Sequence, residues 1–512
     1  MPKDFFITCA IDYPNAHLHM GHLYEKTIAD VLARVHRLNG EKVFFLVGMD
    51  EHGEKIQETA KKAGVPPQQF VDEMFPLFKN FMDAGLISYD RFIRTTDKDH
   101  IAAATHAFNS MHAAGDIYLG EYEGWYCVSD ETYWTEKELL EGPNGSKICP
   151  NIHCKKPVHK VKEESYFFKW SKYQSQLEKW FDSTPTNVFP AFRKNEMREF
   201  LSRGMNDVSF TRKNIVWGIP SPLNPAHTIY VWGDALVNYL TACGYPNANY
   251  TQRWPADLHV IGMDINRFHS LLWPAMLMSL GVELPKQVLV HGFVNDAHGE
   301  KMSKSLGNVI DPQQIIPEYG IEAIRYYLTK ETPIGNDLSF SIPNLIERTN
   351  SDLADSFGNL VYRVLSMLEK YNAGMIPKSP LDEKMLASAH DLAAKAYHAY
   401  LSHAPQEALH RTWEIIALGN KSIAEKEPWK LMKENKRAEV EELLRTEVEL
   451  LRIVSILIAP VLPLTNEKLR EQFGFDAPSF AALKSPQALE GKLVKKGAVL
   501  FAKKELPQPA EK

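Results

Sequence analysis

Apolar strand, Pro/Asn loop, amphipathic helix, apolar strand: the N-terminal segment runs in that order, and few folds accept it. Phe5-Phe6-Ile7-Thr8-Cys9-Ala10 is an unbroken apolar-rich run, as expected of a strand buried on both faces. Tyr24, Ile28, Val31, Leu32, Val35 and Leu38 then recur at helical spacing, and Asn39-Gly40 supplies the stop. Residues 43–47 are the next strand. Parallel strands joined through a helix begin a doubly wound α/β sheet. The same logic resumes with a strand at 258–262, a helix at 265–280 and a strand at 288–291. Residues from about 116 to 225 break the pattern, are rich in Tyr, Trp and Glu, and carry Cys127, Cys149 and Cys154, so they read as an insertion. From about 350 the chain turns helical, with Leu353, Phe357, Leu360, Val361, Val364 and Leu368 on one stripe and a second pattern at 441–457. The expected division is 1–115 and 226–345 for the two halves of the α/β domain, 116–225 for the insertion, and 346–512 for a helical domain with a C-terminal tail.

Length and composition fit that plan. A chain of 512 residues, 44% hydrophobic and 24% charged, is expected to form several globular units. No apolar run approaches the ~18–20 residues that span a bilayer, and the N-terminus passes into a strand without a leader pattern. Five cysteines, odd in number and unevenly placed, point to a reducing cytoplasm. The net charge of −6 gives no bulk support for nucleic-acid binding, so any such partner needs local positive charge. Lys421, Lys426, Lys430, Lys433, Lys436 and Arg437 form one candidate stretch, and Lys492, Lys495, Lys496, Lys503 and Lys504 another. Each reads equally well as a solvated helix face or a charged tail.

Two strings about 280 residues apart carry chemistry. His19-Met20-Gly21-His22 opens the first long helix, where unpaired N–H groups and partial positive charge favour phosphate. Gly21 lets a nucleotide approach the backbone, and the histidines can donate to phosphate oxygens. Lys301-Met302-Ser303-Lys304-Ser305 lies between Gly299 and Gly307, and its lysines can fold over a pyrophosphate leaving group. That is electrostatic catalysis, in which position and countercharge do the work and no nucleophilic side chain is required. Losing one such donor should cost about 3–4 kcal/mol. Taken singly, the strings read as a histidine cap and an ordinary charged loop.

With Ala10-Ile11-Asp12-Tyr13, Gly48-Met49-Asp50-Glu51-His52-Gly53, Tyr230-Val231-Trp232-Gly233-Asp234-Ala235, Ile261-Gly262-Met263-Asp264-Ile265-Asn266-Arg267-Phe268-His269 and His291-Gly292-Phe293, the resemblance becomes specific. Along nearly its whole length the chain resembles the bacterial-type methionyl-tRNA synthetases of class I. The resemblance implies a Rossmann-type domain with an inserted connective domain and an all-α anticodon-binding bundle. It implies activation of L-methionine by ATP with Mg²⁺, then transfer of methionine to tRNA-Met. His19, His22, Lys301 and Lys304 would be catalytic. Gly21, Gly262, Asp264, His291, Met302 and Ser303 would join them around ATP. Ala10, Ile11, Tyr13, Asp50, Trp232, Ala235, Tyr239, Ile265, Phe268 and His269 would line the methionine pocket, with Asp50 on the α-amino group. Asn359 and Arg363, four apart on one helical face, and Trp429 after Pro428 would read the anticodon. On spacing alone Trp232, Ile265 and Phe268 read as core, Asp264 as a helix cap, and Trp429 as a residue packed at a helix start.

Three features depart from the family pattern. Asp12 stands where proline is common, and Met263 where many relatives carry lysine. The insertion has lost the paired Cys-x-x-Cys of zinc-binding relatives. Cys127, Asp130, Cys149, His153 and Cys154 are chemically competent zinc ligands, yet the expectation is a metal-free knuckle. A monomer is expected. The competing readings are a class I ligase for another amino acid, a nucleotidylyltransferase, and a non-catalytic tRNA-binding relative.

Overall fold

The apolar runs expected to be strands lie side by side in one parallel six-stranded sheet. The computed structural model describes residues 4–129, 132–134, 136–151, 154–213, 215–300, 302 and 308–506. In chain order the strands are β1 (Phe5–Cys9), β2 (Val43–Met49), β3 (Arg91–Arg94), β4 (Val188–Phe189), β5 (Leu258–Gly262) and β6 (Val288–His291). Their spatial order is β3-β2-β1-β5-β6-β4. The order reverses between β1 and β5, where Ile7 pairs with Leu258 and Cys9 with Val260. In doubly wound sheets ligands bind outside the carboxyl ends of the strands at such a reversal.

The chain falls into two units that interleave in sequence. The first comprises residues 1–18, 43–83 and 88–291, and holds the sheet and the insertion. The insertion is built on a long antiparallel pair, Ile117–Cys127 with His159–Phe168, flanked by Thr132–Trp134 and Val208–Ser209. The second unit comprises residues 19–42, 84–87 and 292–512. It takes in α1 (Met20–Leu38), a helix with its apolar stripe buried, although that helix lies between β1 and β2 in sequence. Its other principal helices are Ile321–Lys330, Asn359–Asn372, Glu383–Leu401, Pro405–Lys426, Arg437–Ile458 and Pro463–Phe473.

Two stretches expected as plain α-helix are locally wider. Residues 268–272 and 349–358 are π-helical, and α-helix resumes at Trp273 and Asn359. The buried stripe survives in the second case, since Leu353, Phe357, Leu360, Val364 and Leu368 are fully buried. Among the described residues no helix is long and apolar enough to cross a membrane.

Within the second unit one polar node is fully buried. Arg325 donates to Asp30 Oδ2 (2.6 Å), Val461 O (3.0 Å), Gly85 O (3.0 Å) and Pro460 O (3.1 Å). One turn earlier, Glu322 accepts from Leu464 N, Thr465 N and Thr465 Oγ1, and so caps the helix that starts at Pro463.

Candidate active site

The first unit gathers the residues expected around methionine. Ala10, Tyr239 and Phe268 belong to one buried cluster, with Ile11, Tyr13, Trp232 and Ile265 packed against it. Trp232 stacks on Phe268 with ring centroids 3.9 Å apart and planes 6° off parallel. His269 meets the Trp232 ring edge-on at 6.1 Å. His269 Nδ1 lies 3.1 Å from Ile265 O, which can only accept, so Nδ1 carries the proton. Nε2 lies 2.8 Å from Tyr239 OH, which donates to it when the ring is neutral. Tyr239 in turn packs on His259 at 4.4 Å, and burial, reinforced by the nearby His269, holds the His259 pKa well below its ordinary value. Phe268 and His269 sit on the π-helical turn, whose extra residue per turn is a recurrent feature of functional sites.

Opposite chemistry comes from the end of β2. Asp50 and Ala235 are buried. Asp50 N donates to Asp12 O, and Asp12 N donates to Gly48 O, each at 2.9 Å. A proline at position 12 would lack that second donor, so Asp12 gives this chain an extra tie between the β1 loop and β2. Tyr13 OH donates to His52 O at 2.5 Å.

Gly262, Asp264 and His291 meet at the ends of β5 and β6, where Gly262 and His291 are register partners. A Cβ on Gly262 would stand 2.8 Å from Asp264 Oδ1 and 3.6 Å from the His291 ring, so a side chain there would fill the space between them. The short helix that follows is capped by Gly262, without a side-chain bond, so Asp264 is not its cap. Met263 Sδ accepts from Arg193 Nη2 at 3.2 Å.

The second unit carries the histidine string. His19 is the N-cap of α1, and its Nδ1 accepts from Gly21 N at 3.1 Å. His22 Nδ1 accepts from His19 N, also at 3.1 Å, which closes a capping box. With Nδ1 accepting in both rings, each neutral imidazole presents Nε2–H as its donor. Burial pushes the His22 pKa well below its usual value, and the neighbouring His19 and Lys26 push the same way. Gly21 is confined because a Cβ there would lie 3.0 Å from His19 Cε1. Met20 N donates to Ile310 O at 3.3 Å, so the segment following the lysine string is anchored at the start of this helix. Asp296 accepts from His298 N, Glu300 N and Asn308 Nδ2, each at 2.9 Å, and staples both flanks of that string. Met302 is buried, while Lys301, Ser303 and Lys304 lie outside the described residues.

In the helical bundle Asn359 is exposed, Arg363 half-buried, and Trp429 is 41% exposed at the start of Pro428–Lys433. Trp429 is therefore not the packed residue that its position alone suggested. Most cations of the two lysine-rich stretches have carboxylate or carbonyl partners: Lys426 with Asp382, Lys430 with Glu427, Lys436 with Glu434, Arg437 with Glu441, Lys496 with Glu369, Lys503 with Asp355, Lys492 with Gly474 O and Lys504 with Glu318 O.

In the insertion the thiols of Cys127, Cys149 and Cys154 lie within 4.8 Å of one another, with Cys127 Sγ and Cys154 Sγ 3.5 Å apart. Hydrogen bonds from the other two thiols pull the Cys154 thiol far down. The expected metal-free knuckle thus contains a donor set suited to zinc, although its spacing lacks tight pairs. Asp130 and His153 lie outside the described residues.

A family profile described as "tRNA synthetases class I (M)" matches residues 5–365, and one described as "Anticodon binding domain of methionyl tRNA ligase" matches residues 379–509. The chain belongs to the methionyl-tRNA synthetase family. It is therefore a class I ligase that joins methionine to tRNA. The methionine–tRNA ligase of Caldanaerobacter subterraneus subsp. tengcongensis is 43% identical over 98% of this chain and 79% of its own length. That of Thermotoga maritima is 42% identical over 98% and 80%. The Mycobacterium tuberculosis methionyl-tRNA synthetase in complex with methionyl-adenylate superposes with a TM-score of 0.94 at 39% identity, covering 98% of this chain and all of that one. Its apo form gives a TM-score of 0.88 at 36% identity, covering 99% of each.

Sequence reasoning passed over two features of this synthetase. Arg212 is buried, with Nη1 donating to Ser209 O and Thr211 O and the guanidinium 4.4 Å from the Tyr230 ring centre. It lines a cavity with Gly53, Trp217 and Val231, next to Trp232 in sequence. The other is a buried bond between His52 of the Gly48–Gly53 string and Asp234 of the Tyr230–Ala235 string.

Proposed function

We propose that this chain activates L-methionine as methionyl-adenylate and transfers it to the 3′ end of tRNA-Met, with the residues assigned as follows. Asp50 holds the α-amino group. Tyr13, Trp232, Ile265 and Phe268 enclose the thioether, Ala10, Ile11 and Ala235 complete the walls, and Tyr239 and His269 close the base. A thioether offers no strong hydrogen bond, so the site selects by shape, apolar burial and sulfur–aromatic contact. The observation that carries the reading is the Trp232–Phe268 stack braced by the Tyr239–His269 hydrogen bond.

Methionine's carboxylate attacks the α-phosphorus of ATP, and pyrophosphate leaves. The Nε2–H groups of His19 and His22 donate to the phosphate oxygens as charge grows there, at the positive end of α1. Lys301 and Lys304, with Met302 and Ser303, meet the leaving pyrophosphate. Asp264 takes a ribose hydroxyl, and the bare Gly262 with His291 leaves room for the adenosine. Mg²⁺ arrives bound to ATP as part of the substrate. Asn359, Arg363 and exposed Trp429 read the anticodon by edge hydrogen bonds and stacking. Cys127, Cys149 and Cys154 would hold a structural zinc, which would tie the two ends of the knuckle together. The enzyme acts in the cytoplasm as a monomer.

Amino-acid-dependent ATP–pyrophosphate exchange across the twenty amino acids tests the assignment. Exchange with methionine alone is the expected result. Exchange driven by another amino acid would sink the pocket assignment.

A further inference from the structure

Two strings of the methionine pocket meet at one sealed carboxylate. Asp234 lies in the short helix Val231–Ala235, between Trp232 and Ala235, and is 1% exposed. His52 Nδ1 is 2.6 Å from Asp234 Oδ2, and His100 Nε2 is 2.6 Å from Oδ1. Both histidines are buried. Thr241 Oγ1 lies 3.0 Å from Val237 O and 3.1 Å from His100 Nδ1. His100, on the helix Lys98–Ala113, donates from Nε2 to the Asp234 carboxylate.

Burial alone would push the Asp234 carboxyl up; His52 and His100 outweigh it and bring it to about 2. A buried ionised group of this kind is costly to build, and apolar packing of the same volume is often as stable. Its placement supplies a use for that cost. His52 follows Asp50 by two residues, and the His52 carbonyl accepts from Tyr13 OH. One continuous set of hydrogen bonds therefore runs from Tyr13 through His52 and Asp234 to His100 and Thr241.

We propose that His52, Asp234 and His100 are positioning residues that hold the amino-group side of the pocket (Asp50, Tyr13) in register with its thioether side (Trp232, Ala235). The inference rests on reading that pocket as the methionine site. None of the three needs to touch the substrate. A misplacement of roughly 1 Å between binding walls is enough to cost up to about a hundredfold in efficiency.

The test is pyrophosphate exchange by the full chain, with methionine and ATP titrated separately. Trp232→Ala is the control for the pocket itself, and an unchanged KM for methionine in that variant would remove the underlying reading. With that control shifted, His52→Ala is expected to raise the methionine KM about tenfold or more and to leave the ATP KM within about twofold. His52→Asn keeps a donor near the Nδ1 position and should restore the methionine KM to within about threefold, whereas His52→Gln moves the donor outward and should not. His100→Gln, which keeps a donor near Nε2, should likewise outperform His100→Ala. A normal methionine KM in His52→Ala overturns the proposal. Should that variant fail to fold, the Asn and Gln variants decide alone, because equal methionine KM values in the two overturn it as well.

Discussion

Removing the Asp30 carboxylate should unfold the second unit at a much lower temperature. The Asp30–Arg325 pair is 2.6 Å long with both side chains 0% exposed, and Asp30 also accepts from Arg34 Nε at 2.8 Å. Burial pushes the Arg325 pKa down, and Asp30 is the main charge opposing it. In Asp30→Ala the guanidinium keeps its carbonyl acceptors and loses its countercharge. Stranding a buried charge in this way costs about 3–5 kcal/mol. At roughly 2–4 °C per kcal/mol for a unit of this size, the melting temperature should fall by roughly 6–20 °C. The control is Asp391→Ala, whose partner Lys395 lies at 2.7 Å but whose pair is more than half exposed. That variant should shift the melt by no more than about 4 °C, since exposed pairs contribute less than about 1 kcal/mol. Far-UV circular dichroism melts of the three proteins read the difference. If Asp30→Ala and Asp391→Ala melt together, distance rather than burial governs these pairs, and the reasoning fails.

Glu447 is fully buried on the helix Arg437–Ile458, and burial raises its pKa to about 7 against the opposing hydrogen bond from Ser422. A raised carboxyl pKa gives stability that is complete below the unfolded value and lost as pH rises through the folded one, here up to about 3 kcal/mol between about pH 4.5 and 7. Glu447→Gln should therefore gain on the parent protein across that window in urea melts; a gap that stays constant from pH 5 to 8 would contradict the burial argument. For the knuckle, elemental analysis of protein purified under reducing conditions should find about one zinc per chain, falling to background in Cys149→Ser; metal-free parent protein would exclude the site. Gly262→Ala should raise the ATP KM about tenfold with little effect on the methionine KM, because its Cβ would occupy the space beside Asp264. An unchanged ATP KM would place the nucleotide elsewhere.

The sheet and its first helix were legible because their signals are local. Unbroken apolar runs at 5–10, 43–47 and 288–291 admit few readings other than parallel strands, and α1 announces itself by period and stop. The π-helical turns escaped, since one extra residue in a turn barely alters apolar spacing when the stripe stays buried. His52, His100 and Asp234 escaped because their bonds join positions 182 and 134 residues apart, and polar residues at such distances leave no pattern. The same holds for Arg325 and Asp30, which look like solvent-facing charges in a helical repeat. The convergence of the three thiols was not legible because ligand spacing in sequence is only a proxy for convergence in space. The histidine string was legible as chemistry, but its tautomers follow from the capping box alone.

Interleaving of the two units sets a schedule for biosynthesis. Helix α1 is made among the first residues, yet Asp30 waits 295 positions for Arg325. At about 5–20 residues per second, that interval lasts roughly 15–60 s on the ribosome. Throughout it, the helix that bears His22 has an apolar stripe without its native cover. Ribosome-associated chaperones would meet this synthetase first at α1, and a slow stretch of translation before residue 325 would lengthen the time that helix stays uncovered.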